Sequence, residues 1–287
     1  MYGSDGSYDE GIGYWGYTTS HLVMAAEALH RRLGLDDRQL VNYPGTIRYA
    51  LTMAMPCAGE TIYDPKLKTA YNGTPKANYI PALDLVNFSD SGVSMDVSVA
   101  AWVADAFRDP LSQHVATHIG SFNSYQAAVW YHPDAPAKTP GPAEHDIRLS
   151  NDWVVARTGW APEDSVLALR SGGPANHEHA DRNSVILKAH GDRLFHDPFK
   201  AGYSPTVPRW LLRQTEAHTA VLIDGKGHQY HDGREGTNSS WASATVTDFR
   251  TSPGWMTVTS DATEAYALVN PAVTRVARTL VFLKPDI

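Results

Sequence analysis

The chain has 287 residues, of which 43% are hydrophobic and 19% charged, a composition typical of a globular protein with one large or two smaller domains. No run of about 18 apolar residues occurs, which predicts no membrane-spanning helix, and no signal peptide is visible at the N-terminus. The net charge of −7 argues against nucleic acid as a partner, because the overall field repels a polyanion.

Helical periodicity marks the first half of the chain. Leu22, Ala26, Leu29 and Leu33 recur at helical spacing, and Gly34, which follows a basic pair, is typical of a helix C-terminus. Three further helical patterns occupy residues 93–107, 111–119 and 122–131. Residues 56–92 are rich in Pro, Gly, Asn and Asp, which predicts long loops of the kind that tend to be functional.

Residues 133–142 contain four prolines and predict a linker, after which the pattern changes to short strands. The predicted strands cover residues 153–157, 166–170, 184–189, 193–196, 219–223, 241–247, 255–259 and 273–282. Gly191-Asp192 lies between two of them, where a two-residue hairpin turn is expected. Helices followed by strands predict an α+β fold, with a helical domain at 1–140 and an antiparallel β domain at 141–287.

The densest group of potential catalytic residues lies within residues 172–184. His177, His179 and Asp181 alternate there, so they would share one face if the segment were a strand. Three ionisable groups on one face are costly to bury unless they bind something. An isolated His-x-His is more often a hydrogen-bonded surface turn than a functional site. The neighbouring sequence is therefore needed to choose between the two.

Two more potential metal ligands flank this group. Asp197 ends the return strand of the predicted hairpin, and His218 precedes the next predicted strand. Two histidines and one aspartate brought together by adjacent strands would form a plausible zinc site.

Residues 157–213 are locally basic, with eight Lys or Arg and six Asp or Glu, an excess of two positive charges. Such a stretch suits an anionic substrate held in one place, although charges scattered along solvated strands would give the same count.

Tyr14, Tyr17 and His21 recur at positions i, i+3 and i+7, which places them on one face of a helix. This stripe is compatible with a role in proton transfer, and equally with aromatic packing.

Three stretches resemble the heparinase II/III-like polysaccharide lyases. Residues 176–198 and 215–225, the latter reading TEAHTAVLIDG, resemble the β-domain signature of that family. Residues 5–17, DGSYDEGIGYWGY, resemble the helical-domain motif of the same group, which includes heparin and alginate lyases. The motifs occur in the family's order, and the change in composition near residue 140 falls where its two domains meet.

The resemblance implies a partial (α/α) toroid of paired helices at 1–140, followed by an antiparallel β-sandwich at 141–287. The active site is then expected in the cleft between them. The motifs at both ends predict that the chain is incomplete relative to the family, and the charge-neutralising Asn or His expected upstream of Asp5-Gly6 lies outside the sequence.

The resemblance also implies functional residues. The zinc ligands would be His179, Asp197 and His218, with a structural role for the metal. His177 matches the catalytic histidine, and the catalytic tyrosine is Tyr14 or Tyr17, with Tyr17 slightly favoured because its surroundings resemble the alginate-lyase motif. Further candidates for substrate binding are Asn176, Arg182, Arg213 and His21, although the two arginines are equally compatible with ordinary surface charges.

The expected reaction is β-elimination in an acidic, uronate-containing polysaccharide or oligosaccharide, with a tyrosine or histidine transferring the proton. A zinc hydrolase of the amidohydrolase type is an alternative, since His-x-His occurs there near the start of an α/β barrel. A carbohydrate-binding protein without catalysis is another, because eight Trp and fourteen Tyr could stack on sugars. The lyase interpretation predicts a periplasmic or secreted parent protein, or a cytoplasmic one if oligosaccharides are cut; the oligomeric state stays open.

Overall fold

The computed structural model describes residues 1–36, 38–56, 60–62, 78–80, 83–91, 95, 98–119, 125–198, 201–204, 206–228 and 241–284. Within these ranges helices dominate the first half and antiparallel strands the second, so the predicted α+β class is confirmed. None of the helices in these ranges is long and apolar enough to cross a bilayer.

The helices of the first half are α1 Ile12–Leu33, α2 Tyr43–Met53, α3 Ser98–Phe107, α4 Pro110–His114 and α5 Tyr125–Trp130. α4 continues into a π-helical turn at Val115–Ile119. The helix stop predicted at Gly34 is confirmed, because this residue adopts a left-handed conformation with φ 66°. α2 is not predicted from the pattern, since its first turn contains Pro44-Gly45; Asn42 caps it by accepting a bond from the Gly45 amide.

Four short strands follow α2 in the region predicted to be loops. β1 Ala54–Pro56 pairs with β4 Leu83–Leu85, and β2 Glu60–Ile62 pairs with β3 Asn78–Ile80, both antiparallel. The rest of that region, at 57–59, 63–77, 81–82 and 92, lies outside the described residues.

The second half contains two antiparallel sheets. The first has the strands β5 Ile147–Arg148, β6 Val154–Arg157, β7 Val166–Leu169, β8 Val185–Ala189 and β9 Asp192–Phe195 in chain order. The second has β10 Thr245–Ser252, β11 Trp255–Asp261 and β12 Ala277–Leu283, with the short helix α6 Thr263–Ala267 before the last strand.

Two local predictions are wrong. Residues 219–223 form no strand and make only an isolated bridge between Ile223 and Lys226. The hairpin turn is His190-Gly191, one residue earlier than predicted, because Ala189 pairs with Asp192. Both turn residues have positive φ, 54° and 87°, as a type I′ turn requires.

The five-stranded sheet is the middle layer of the molecule. One face joins the helices in a common core through Val155, Val166, Ala168 and Ile186. The other face packs against the three-stranded sheet through Val154, Ala156, Leu167, Leu169 and Val185. Because both faces are covered, β6 and β7 are buried at every position instead of alternating.

Candidate active site and metal centre

The segment that carries the clustered histidines is an irregular loop between β7 and β8. The prediction that His177, His179 and Asp181 share one strand face is therefore wrong, and each side chain has different surroundings. His177 has φ 55° and its side chain is 19% exposed. His179 and Asp181 are fully buried, the first in the metal cluster described below and the second beside Arg182.

The predicted metal ligands come together in space. One ligand atom each from His179, Asp197 and His218 lies within 4.8 Å of the others, and all three residues are buried. His218 Nδ1–H donates to Asp197 Oδ2 at 2.9 Å, so this bond does not involve His218 Nε2 or Asp197 Oδ1. Ser184 donates to the same Oδ2 at 3.3 Å, and Asn87 donates to the Asp197 carbonyl at 3.2 Å, so side chains from both halves hold this aspartate.

Four buried atoms of this cluster have no hydrogen-bond partner among the described residues: both ring nitrogens of His179, Asp197 Oδ1 and His218 Nε2. Unpaired buried polar atoms are rare and destabilising, so they need an explanation. Two imidazole nitrogens and one carboxylate oxygen are a typical zinc ligand set, and the orphaned atoms therefore fit a bound metal.

The charges of the cluster also suit a cation. Burial lowers the pKa of His179, which favours the neutral imidazole that ligates metals. Burial opposes protonation of His218 as well, but the Asp197 carboxylate more than offsets it and raises the pKa of His218. A divalent ion would replace the proton that this carboxylate otherwise attracts.

Beside the metal cluster, Tyr14 from α1 stacks on His177. Their ring centroids are 3.7 Å apart and the rings are 16° from parallel. The Tyr14 hydroxyl hydrogen-bonds the hydroxyl of Tyr203, which also lies 3.4 Å from His177 Nδ1. Burial raises the pKa of both tyrosines and lowers the pKa of His177, so neutral phenols and a neutral imidazole face each other at physiological pH.

Asp90 anchors this group of aromatic residues from the loop after β4. Its carboxylate is buried and accepts hydrogen bonds from Tyr203 at 2.5 Å and from the Ala201 amide at 2.9 Å, with Arg213 at 3.5 Å. Its own amide donates to the His177 carbonyl at 3.1 Å. Burial alone would raise the pKa of Asp90, but His179 and Tyr203 hold it below its usual value.

Two glycines of the 5–17 motif allow the segment before α1 to approach α2, at Gly6, and the loop of Asp90, at Gly11. Gly6 has φ 86°, and a Cβ there would lie 2.1 Å from the Thr46 amide nitrogen. Gly11 has φ 87°, and a Cβ would lie 2.4 Å from Ser91 Oγ. Both positions therefore require glycine for backbone conformation and for space.

Tyr17 and His21 lie apart from this site. Tyr17 is 67% exposed and its ring packs on that of His21, whose Nδ1 contacts the Tyr17 carbonyl at 2.7 Å. The geometry therefore favours Tyr14 over Tyr17, the reverse of the preference drawn from the motif. Asn176 is exposed next to His177 in the chain.

The two arginines proposed for substrate binding are buried, which corrects both sequence-based interpretations of them. Arg182 is 0% exposed, and its guanidinium pairs with Glu178 and, at 3.3 Å, with Asp181. Arg213 is 1% exposed and donates to the Gly202 carbonyl at 2.9 Å and the Glu178 carbonyl at 2.8 Å. Both hold the loop that carries His177 instead of meeting a ligand.

The positive residues at 157–213 likewise do not form an exposed surface that could bind an anion. Its fully buried members are Arg157, Arg170, Arg182, Lys188 and Arg213. Arg157 donates to the carbonyls of α2 and β1, and Arg170 pairs with Glu178 at 3.0 Å. Arg157 and Lys188 are internal because the sheet is covered on both faces, and Arg182 and Arg213 because they lie under the loop that carries His177.

Sequence reasoning missed Asp90, Tyr203 and Glu10. Glu10 is 9% exposed, and its charge acts on both Tyr14 and His177. None of the three lies in a periodic element. The position of Tyr203 in a turn-rich segment shortly after Asp197-Pro198 is the only local signal that could have indicated it.

Comparisons with known proteins agree with this architecture. The family model "Heparinase II/III-like, C-terminal" matches residues 146–286. A heparan sulfate lyase HepC mutant from Pedobacter heparinus has a TM-score of 0.64 at 14% identity, over 99% of this chain and 37% of its own. A heparinase III structure has a TM-score of 0.62 at 15% identity, over 98% of this chain and 39% of its own. No curated protein sequence matches.

The chain therefore spans well under half the length of these solved structures, and identities this low show similarity of fold. The family match covers the segment that contains the loop of His177 and all three potential metal ligands. Residues 146–286, just under half of the chain, match the C-terminal domain of the heparinase II/III-like family.

Proposed function

We propose that this chain is part of a polysaccharide lyase that cleaves an acidic, uronate-containing polysaccharide by β-elimination. The observation that carries the proposal is the stacking of Tyr14 on His177, directly beside the cluster of three potential metal ligands. The printed names of the structural neighbours, a heparan sulfate lyase and a heparinase III, support a substrate of this class.

β-Elimination removes the proton from C5 of a uronate, breaks the C4–O4 bond, forms a C4=C5 double bond and leaves O4 to be protonated. One group must accept the C5 proton and a group nearby must protonate O4. Tyr14 and His177 are the proposed pair, because their rings lie within van der Waals contact and both side chains are partly exposed. A group that offsets the uronate carboxylate is also required, since the carbanion-like transition state needs preorganised donors.

We assign zinc to His179, Asp197 and His218, in a structural role. Bound metal would supply positive charge to the unpaired nitrogens and oxygen and would fix the His177 loop through His179, two residues from His177. The ligands reach it from three separate segments of the chain, so one ion would tie the loop, the end of β9 and the turn after residue 217 together.

The proposed domain organisation follows the family pattern. Residues 1–140 would contribute part of a toroid of paired helices and residues 141–287 the β-sandwich, with the polysaccharide in the cleft between them. Tyr14 belongs to the first and His177 to the second, so the site requires both. Their contact supports this arrangement.

A panel of alginate, heparan sulfate, chondroitin and hyaluronan tests the function. Lysis creates an unsaturated sugar that absorbs in the near ultraviolet, whereas hydrolysis creates new reducing ends without that absorbance. Tyr14→Phe and His177→Ala should abolish the absorbance, with Tyr125→Phe as a matched control at an exposed site. Sugar binding without cleavage, unaffected by His177→Ala, would support a carbohydrate-binding protein instead.

A further inference from the structure

Asp90 is the most constrained acid of the site although it comes from the helical half of the chain. Its side chain is only 1% exposed, so water has almost no access to the carboxylate. One carboxylate oxygen takes the Ala201 amide hydrogen and the other takes the Tyr203 hydroxyl hydrogen. An ionised carboxylate can only accept, so the direction of both bonds is certain.

This direction determines where the neighbouring protons are. Tyr203 has one hydroxyl hydrogen and gives it to Asp90, so in the contact between the two tyrosines Tyr14 must be the donor. By the same count, Tyr203 oxygen can only accept from His177 Nδ1, 3.4 Å away. The histidine then carries its hydrogen on Nδ1 and leaves Nε2 as its basic nitrogen.

We propose that Asp90 is a positioning residue that fixes this proton arrangement. It makes Tyr203 a permanent donor toward Asp90, keeps the Tyr14 hydroxyl oriented toward Tyr203, and selects the tautomer of His177. This inference rests on the proposed lyase function for its kinetic consequence, whereas the proton arrangement itself can be observed without activity.

Asp90→Asn changes the direction of the hydrogen bonds while the side chain keeps nearly the same shape. The Ala201 amide still needs an acceptor, so the asparagine oxygen takes that place and its NH2 group faces Tyr203. Tyr203 must then accept, and its hydrogen turns toward Tyr14 or His177. Arg213 loses its 3.5 Å contact with the carboxylate but keeps its bonds to the carbonyls of Gly202 and Glu178, which hold the surrounding loop.

The experiment combines kinetics with tyrosine NMR on the purified protein. Asp90→Asn should lower kcat by about tenfold to a hundredfold while KM changes little, because proton transfer and not binding is disturbed. Asp146→Asn is the matched control, since Asp146 is a largely buried acid paired with Lys284 at 2.6 Å outside the site. The double variant Asp90→Asn/Tyr203→Phe should be no slower than Tyr203→Phe alone, because both changes break the same chain.

The second readout is the 13Cζ resonance of Tyr203, assigned by its loss in Tyr203→Phe. Tyr203 donates its hydroxyl hydrogen to the Asp90 carboxylate, so Asp90→Asn should shift this resonance at neutral pH while the control does not. Unchanged kcat together with an unchanged Tyr203 resonance would overturn the proposal, as would additive kinetic effects in the double variant. If no polysaccharide is cleaved, the proposed lyase function is wrong, and the Tyr203 resonance still tests the role of Asp90. If Asp90→Asn does not fold, the test falls to Tyr203→Phe, which must lower kcat at least tenfold.

Discussion

Zinc should stabilise the folded protein strongly, because the metal cluster contains four buried polar atoms without partners among the described residues. Each such atom costs about 1–3 kcal/mol, and one ion can bind one atom from each of the three residues, so the three bound atoms would cost about 3–9 kcal/mol without metal. This is comparable to the whole free energy of unfolding of a typical domain, about 5–15 kcal/mol. An ion that binds three of these atoms therefore removes most of this destabilisation.

The expected size of the stabilisation follows from mass action. At a free zinc concentration about 1,000 times Kd, binding to the folded state alone contributes about 4 kcal/mol. For a chain of this size about 1 kcal/mol raises Tm by roughly 2 °C, which predicts an increase of about 8 °C. Thermal unfolding of chelator-treated protein, followed by circular dichroism with and without added zinc, measures this directly.

Two matched variants test whether the zinc-dependent rise in Tm arises at this cluster. His218→Ala should lose the zinc-dependent rise in Tm, while His132→Ala, whose side chain is 62% exposed, should retain it. An equal rise in both variants would place the metal elsewhere. If removing the metal abolished turnover but left Tm unchanged, the structural role assigned to zinc would be wrong.

Three further predictions concern single side chains. Tyr14→Phe should reduce lyase turnover at least a hundredfold and Tyr17→Phe less than twofold, measured as kcat; the opposite order would return the catalytic role to Tyr17. Gly6→Ala should destabilise the fold by about 1–3 kcal/mol in urea unfolding, because its φ is 86°, whereas Gly16→Ala, with open space at its Cβ, should be neutral or stabilising. Arg182→Ala should cost about 3–5 kcal/mol of unfolding free energy, because Glu178 would lose a partner at a fully buried site; a change below about 1 kcal/mol would contradict this account of the loop.

The parts of the fold that sequence could predict are those with local patterns. The helix that ends at Gly34 and most strands of the two sheets follow from periodicity and turn residues. α2 could not be predicted, because Pro44-Gly45 is typical of a turn and is tolerated here only in the first turn of a helix capped by Asn42.

The charges of the β half were misinterpreted for a non-local reason. A sheet covered on one face would leave charged strand residues such as Arg157 and Lys188 near solvent, whereas Arg182 lies in the loop between β7 and β8. Two layers cover the five-stranded sheet, and this becomes visible only when the core residues of both faces are known. The buried arginines consequently serve the loop and not a ligand.

The residues of the site likewise fall into those that a sequence motif marks and those that only the fold brings together. The family resemblance predicts His177, His179, Asp197 and His218 as one site, and the structure brings the last three together. Asp90 and Tyr203 are 113 positions apart and lie in irregular segments, so only the folded structure brings them together. The choice between Tyr14 and Tyr17 depends on the rotation of α1 relative to the His177 loop, which spacing alone does not determine.

The near-ultraviolet absorbance of a polysaccharide digest tests the central claim most directly. The account predicts that absorbance rises with at least one uronate-containing polymer and stays flat when Tyr14→Phe or His177→Ala replaces the natural protein. New reducing ends without absorbance would identify a hydrolase, and a rise that survives both substitutions would contradict the proposed site.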